Sequence, residues 1–246
     1  MRYAVGVVAV AALVGCGARG SAAVVASPAA DHAVTATRSG TSRSAAGMAI
    51  DNRIARAAQL QRSDFPSGWS SSPRPAATTG GECPSIRAAR AAVSGHARSR
   101  EFGQAAGGLA AATADSAVYI YADTAGARHW FARLSSGNTR ACLVRVLGKS
   151  AGAQVRAQGG TLDSVTAGRV RVAPVGDEQE ADRIVIRLTV GRFHGKAEAD
   201  VIFVRVGRGI AAFALGQAGA PPDHGLETKL VRTVTDRLAT GLKGAG

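Results

Sequence analysis

Residues 183–215 read RIVIRLTVGRFHGKAEADVIFVRVGRGIAAFAL, three β-type runs joined by short glycine-containing links. In the first run Ile184, Ile186, Leu188 and Val190 hold every second position, with Arg187 and Thr189 between the later ones, which sends them to one side of a pleated strand. Ile202, Val204 and Val206 share a face of the second run, and Ile210–Leu215 forms the third. Gly207-Arg208-Gly209 gives a tight reversal between the last two, and the earlier reversal is expected at His194-Gly195-Lys196. Links this short cannot make parallel crossovers, so the runs form an antiparallel meander.

Downstream, Pro221-Pro222 opens a helix in which Leu226, Leu230, Val234 and Leu238 recur every four residues, a stripe to lay on the sheet. Upstream, Arg169-Val170-Arg171-Val172 alternates as a strand, and Ser116–Tyr121 is β-branched and aromatic. Asp123-Thr124 starts a helix with Ala127, Trp130, Phe131 and Leu134 at helical spacing. Further helices are expected from Asp51 (as cap) to Gln61, from Ser85 to Val93 and from Thr139 to Leu147. The fold class is α+β: one antiparallel sheet of about five to six strands, with helices covering one face.

The chain has 246 residues, 46% of them apolar but only 4% aromatic, and a formal net charge of +13. Alanine dominates the apolar set and buries little area per residue, so the few large side chains must mark the core. Every aromatic except Tyr3 lies between Phe65 and Phe213. These bounds predict a single domain over residues 51–243.

Before it come two segments of different character. Met1-Arg2 leads into an apolar run from Tyr3 to Val14, too short to span a bilayer but of the length of a secretion-signal core. Leu13-Val14-Gly15-Cys16 resembles a bacterial lipobox, which makes residues 1–15 a lipoprotein signal peptide and Cys16 the acylated residue. Residues 16–50, rich in Ala, Ser, Thr and Gly, read as a disordered tether between lipid and domain. The expected address is the extracytoplasmic face of the cell membrane, with the membrane as partner through that anchor.

Setting Cys16 aside leaves Cys83 and Cys142, an even pair in an oxidising compartment, where such cysteines bond to each other. Neither has a histidine close in sequence to act as a base, and no C-x-x-C or H-x-x-x-H spacing offers a metal site.

The lipobox, the tether, the segment L-Q-R-S-D-F-P-S-G-W (residues 60–69), the two cysteines around an aromatic helix, V-R-V-G-R-G and the amphipathic C-terminal helix come in a telling order. Together they resemble actinobacterial secreted lipoproteins similar to the extracellular sensor domain of PknH-type serine/threonine kinases. The resemblance spans roughly residues 51–242. It implies an α+β sandwich with a cleft for ligand capture. That sensor domain carries two disulfides, whereas this chain offers one pair.

No catalytic constellation is visible: G-x-S-x-G, S-x-x-K, H-E-x-x-H, a P-loop and kinase motifs are all missing from the sequence. His32, His96, His129, His194 and His224 are scattered. Asp177, Glu178, Glu180 and Asp182 lack the ordered spacing and central glycine of a calcium loop and read as a solvated bend. The expectation is a binding or sensor-like module without enzymatic activity or cofactor. Its cleft would involve Trp69, Trp130 and Phe131, and its ligand would be a small molecule or a lipid. The alternative is an envelope adhesion module. Arg169, Arg171, Arg183, Arg187 and Arg205, at alternating strand positions, would form one cationic sheet face for anionic lipid or wall polymer. Nucleic acid is excluded as a partner by the exported address and by the want of aromatics interleaved with the arginines.

Overall fold

The structure, a computed structural model, describes residues 44–73, 82–106 and 110–245. The expected signal peptide, Cys16 and most of the tether lie outside those residues. The elements are α1 (Ala45–Ala58), a 3-10 turn (Arg62–Asp64), β1 (Trp69–Ser72), α2 (Pro84–Ala91), β2 (Gly95–Arg98), β3 (Glu101–Ala106) and β4 (Ala110–Ile120). Then follow α3 (Thr124–Leu134), α4 (Gly137–Ala157), β5 (Gly160–Arg169), β6 (Glu178–Val190), β7 (Phe193–Val206), β8 (Gly209–Ala218) and α5 (His224–Lys243).

The α+β class holds, in a single domain, with eight strands rather than five or six. They form one antiparallel sheet in the order β1-β3-β4-β8-β7-β6-β5, and β2 also pairs with β4. The added strands β1, β2 and β3 are short and rich in Gly, Ala and Ser, so their own propensity is low and pairing sets them. Long β4 supplies the template, with Gly95 to Arg98 of β2 opposite Ile120 to Ala117.

Helices cover both faces of the sheet, not one. On the first face, α2, α3 and α4 bury Phe131, Leu143 and Leu147 against Tyr119, Ile184, Ile186 and Phe203. On the second, α1 and α5 bury Leu230, Val234 and Leu238 against Val118, Ile202, Val204 and Phe213. The cause lies in β7 and β8, where both alternating sets are apolar: Val201 and Phe203 face one way, Ile202 and Val204 the other. Ile184 and Ile202, each on the apolar face expected for its run, therefore lie on opposite sides of the sheet.

Several boundaries differ from expectation: α5 starts at His224, after its cap Asp223, rather than at Pro221-Pro222, and four others differ for local reasons. Helix α1 starts at Ala45, capped by the Ser44 side chain, so residues 45–50 of the expected tether are helical and Asp51 lies inside the helix. Helix α4 runs ten residues past Leu147, and this extension buries Ser150, Ala151, Gly152 and Val155. Strand β5 precedes the expected 169–172 segment and ends at Arg169. Beyond it the Gln179 side chain takes the backbone bonds, accepting from Val175 N–H and donating to the Val172 carbonyl. The first reversal of the meander is Gly191-Arg192, with Val190 opposite Phe193, because Gly191 can adopt the φ of +59° that the turn requires. The expected turn residues His194, Gly195 and Lys196 are part of β7.

Candidate functional site

The segment Asp64-Phe65-Pro66-Ser67-Gly68-Trp69 is held in place from three directions. Asp64 accepts from both guanidinium nitrogens of Arg237 in α5, at 2.6 and 2.8 Å. Its Oδ2 also accepts from the Gln61 N–H at 2.8 Å, closing the 3-10 turn. The Phe65 ring lies 4.5 Å from that of Phe102 in β3 and 4.7 Å from that of Trp69, measured between centroids. Gly68 turns the chain at φ +85°, and β1 then leaves with Trp69 opposite Gln104.

This arrangement sets Trp69 as one wall of a groove of ≈ 250 Å³. Leu215, Gly216 and Gln217 of β8 form its floor, and Pro222, Asp223 and Leu226 at the start of α5 form the opposite wall. Gln104, Gln217 and Asp223 bring polar side chains to an otherwise apolar lining, and Thr113, whose side chain alternates to the other face, lines it with backbone. One Asp223 carboxylate oxygen is engaged, accepting from Leu226 N–H at 2.9 Å to cap α5. Mixed lining of this kind binds apolar surface while a few polar groups set orientation.

Beside the floor runs a row of carboxyl groups. Asp200 pairs across strands with Leu215, and Glu198 with Gln217, so both lie on the α5 side of the sheet next to the groove. Asp200 is fully buried and takes a bidentate contact from Arg183 at 2.8 and 2.7 Å. Glu227 of α5, 1% exposed, faces Asp200. Two carboxyl groups can bond only if one keeps its proton. Burial, then the hydrogen bond and charge of Asp200, push Glu227 up to about 8 against the opposing pull of Arg183. From the solvent side His224 Nδ1 approaches Glu227 Oε1 at 3.3 Å. This buried acid pair can store a proton, but no nucleophile stands beside it among the hydrogen bonds of the described residues.

The sheet separates the three aromatics expected to share a cleft. Trp69 belongs to the α1/α5 side, whereas Phe131 and half-buried Trp130 belong to the α2–α4 side, where Arg133 stacks 5.3 Å from the Trp130 ring centre. The expected arginine face is divided too. Arg183 and Arg187 point to the α1/α5 side, on the alternate set to Ile184 and Ile186. Arg205 shares the face of Val201 and Phe203, and there it pairs with Asp177 and Glu178. Arg169 pairs with Glu180 on that same α2–α4 face, and Arg171 falls beyond the end of β5. The acids read as a solvated bend are the partners of these arginines: Glu180 and Asp182 also take Arg140 of α4. Burial of Arg205 to 4% side-chain exposure removes it from any contact surface.

Cys83, the cap residue of α2, is bonded to Cys142 in α4, with the Cα atoms 5.8 Å apart. Sequence reading gave Asp51 only a capping role and missed Asp64, Asp200 and Glu227. Only Glu227 carried a local signal, a carboxylate one residue after Leu226 on the buried side of an amphipathic helix. Among the described residues no helix is long and apolar enough to cross a membrane, and no group of three or more His, Cys, Asp or Glu is placed to hold a metal ion. No protein-family model matches this chain, and no curated protein matches it.

Proposed function

We propose that this chain is a lipid-anchored, extracytoplasmic binding module of sensor-like type, without catalytic chemistry, whose ligand enters the groove between Trp69 and the start of α5. The groove carries this reading: apolar walls and converging amide and carboxylate groups match a small amphipathic molecule. The lipobox at Leu13–Cys16 supports the anchor, and the Cys83–Cys142 bond is of the kind that persists outside the cytoplasm. The resemblance to secreted sensor-like lipoproteins points the same way.

Two experiments test it. In Trp130→Phe the remaining tryptophan is Trp69, so its fluorescence reports the groove directly. Exposure to membrane and wall fractions of the producing cell should shift that emission and raise Tm, and Ala112→Leu, which fills the groove, should abolish both effects. Silence with every fraction would remove the ligand site. Separately, Cys16→Ala should end lipid labelling and release the protein; unchanged membrane retention would remove the anchor.

A further inference from the structure

Formal charge is distributed very unevenly over the two helical layers. Between residues 124 and 157, which span α3 and α4, the chain carries Arg128, Arg133, Arg140, Arg145, Lys149 and Arg156 and no acidic residue at all. Only Arg140 turns inwards, to Asp182 and Glu180. The other five cations are exposed, and among the described residues none has a carboxylate within salt-bridge distance. At about 100° per residue, Arg145, Lys149 and Arg156 fall within roughly 40° of one another around α4, a single stripe roughly 16 Å long. Exposed Ala141 and Ala153 flank it, so small side chains leave the cations standing clear.

The stripe ends beside an apolar point. Gly160 fits between Val155 in the last turn of α4 and Val190, the residue before the β6–β7 turn. That turn presents Arg192 and then Phe193, one of the few large apolar side chains left exposed, at 41%. Phe193 projects to the α4 side of the sheet, the face of Leu188 and Ala197. Asp163 of the neighbouring β5 accepts from Thr189 on the opposite face of the sheet.

We propose that the outer face of α3 and α4, with the β6–β7 turn, docks on the headgroups of an anionic bilayer. Cations facing a negatively charged lipid surface are drawn to it within a Debye length, and an exposed aromatic ring at the rim settles at the headgroup level. A soluble anionic polymer would satisfy the arginines but has no apolar layer for Phe193, which is why the bilayer is the better match. This goes beyond the groove reading and needs no acyl chain on Cys16. It would lay the domain on its α4 side and leave the groove, on the other face of the sheet, turned to solvent.

Flotation of the full chain with phosphatidylcholine vesicles, with and without about 30% phosphatidylglycerol, is the test. Binding is read as the ratio between the two vesicles, so that the N-terminal segment contributes equally to every variant. The wild-type ratio should be about tenfold or more at low salt and approach unity at 0.5 M NaCl. Arg145→Glu/Lys149→Glu/Arg156→Glu should bring it close to one without changing Tm, because all three side chains are exposed. Phe193→Ser should lower it by a few fold. A wild-type ratio of one, or a triple variant that keeps the preference, overturns the proposal. So does a soluble glycerol-phosphate polymer that displaces the protein at equal phosphate concentration, because that makes the polymer the partner. Acylation is read separately by lipid labelling, so loss of the anchor and loss of this surface give different results.

Discussion

Arg208, in the two-residue turn between β7 and β8, closes both guanidinium nitrogens on the carboxylate of Asp51 in α1, at 2.6 and 2.9 Å across 157 residues of sequence. The same guanidinium donates to the Tyr121 carbonyl at 2.9 Å, and Ser94 Oγ donates to Asp51 at 2.6 Å. One buried ion pair thus joins the first helix, the end of β4 and the last hairpin. Removing one partner of such a pair leaves a charge without compensation, a loss of about 3–5 kcal/mol. Asp51→Ala should therefore lower Tm by about 10 °C. Adding Arg208→Leu should restore part of that loss, since the stranded charge goes too. Additive losses in the double variant would show that the pair is not coupled.

Glu227 makes stability depend on pH in an unusual direction. Its folded value of about 8 lies above the ordinary 4.5, so between these limits the folded chain holds a proton that the unfolded chain has released. Folding stability from this group is complete below about pH 4.5 and is lost as pH rises through 8. The groups facing it are Asp200 of β7, Arg183 of β6 and His224 of its own helix, and Arg183 in turn lies 3.7 Å from Glu198. Urea midpoints at pH 5, 6.5 and 8 should fall for the wild type and fall much less for Glu227→Gln. Parallel curves for the two proteins would assign the slope to other groups.

The Cys83–Cys142 bond spans 59 residues and joins α2 to α4. A loop of that size restricts the unfolded chain by about 4 kcal/mol. Thiol titration of the denatured, unreduced protein should find neither residue reactive. Cys83→Ala/Cys142→Ala should lose stability of that order, seen as a shift in the urea midpoint.

Gly95 in β2 touches the backbone of α1. A Cβ there would fall 2.5 Å from the carbonyl carbon of Asp51, so Gly95→Ala must push the helix off the strand. A loss of about 1–3 kcal/mol is expected. Gly168→Ala, whose Cβ would meet nothing within 4 Å, should change stability by less than about 0.5 kcal/mol. Equal effects at the two positions would show that packing against α1 is not the cause.

What could be read in the sequence was whatever repeats locally. The Leu226/Leu230/Val234/Leu238 stripe, Asp123 as the cap of α3, and the paired cysteines all stand as expected because spacing within a few residues, or an even count, specifies them. The single groove could not be read that way. Trp69, Trp130 and Phe131 look alike in sequence, and the sheet that parts them is known only once β3 and β4 are paired. The arginine face failed for a related reason. Strand alternation gives each arginine a side, but which carboxylate answers it depends on partners such as Asp200 for Arg183, or Asp177 and Glu178 for Arg205. Asp64 and Arg237, 173 residues apart, leave no local trace of their contact.

Because the sheet is roofed on both sides, its two helical layers are secured independently, and only in part by the same chemistry: Arg140 ties α4 to Asp182 and Glu180 of β6. A covalent bridge fastens the α2–α4 layer, and salt links through Arg208 and Arg237 fasten α1 and the Asp64 turn to the other side. Reduction of the bridge therefore removes a restraint from the α2–α4 layer alone, and hydrogen exchange of the reduced protein should show protection falling in α2 and α4 before α1 and α5. The two layers are half-shells on a common plate: both carry salt links, and among the described residues the α2–α4 shell alone adds a covalent clasp.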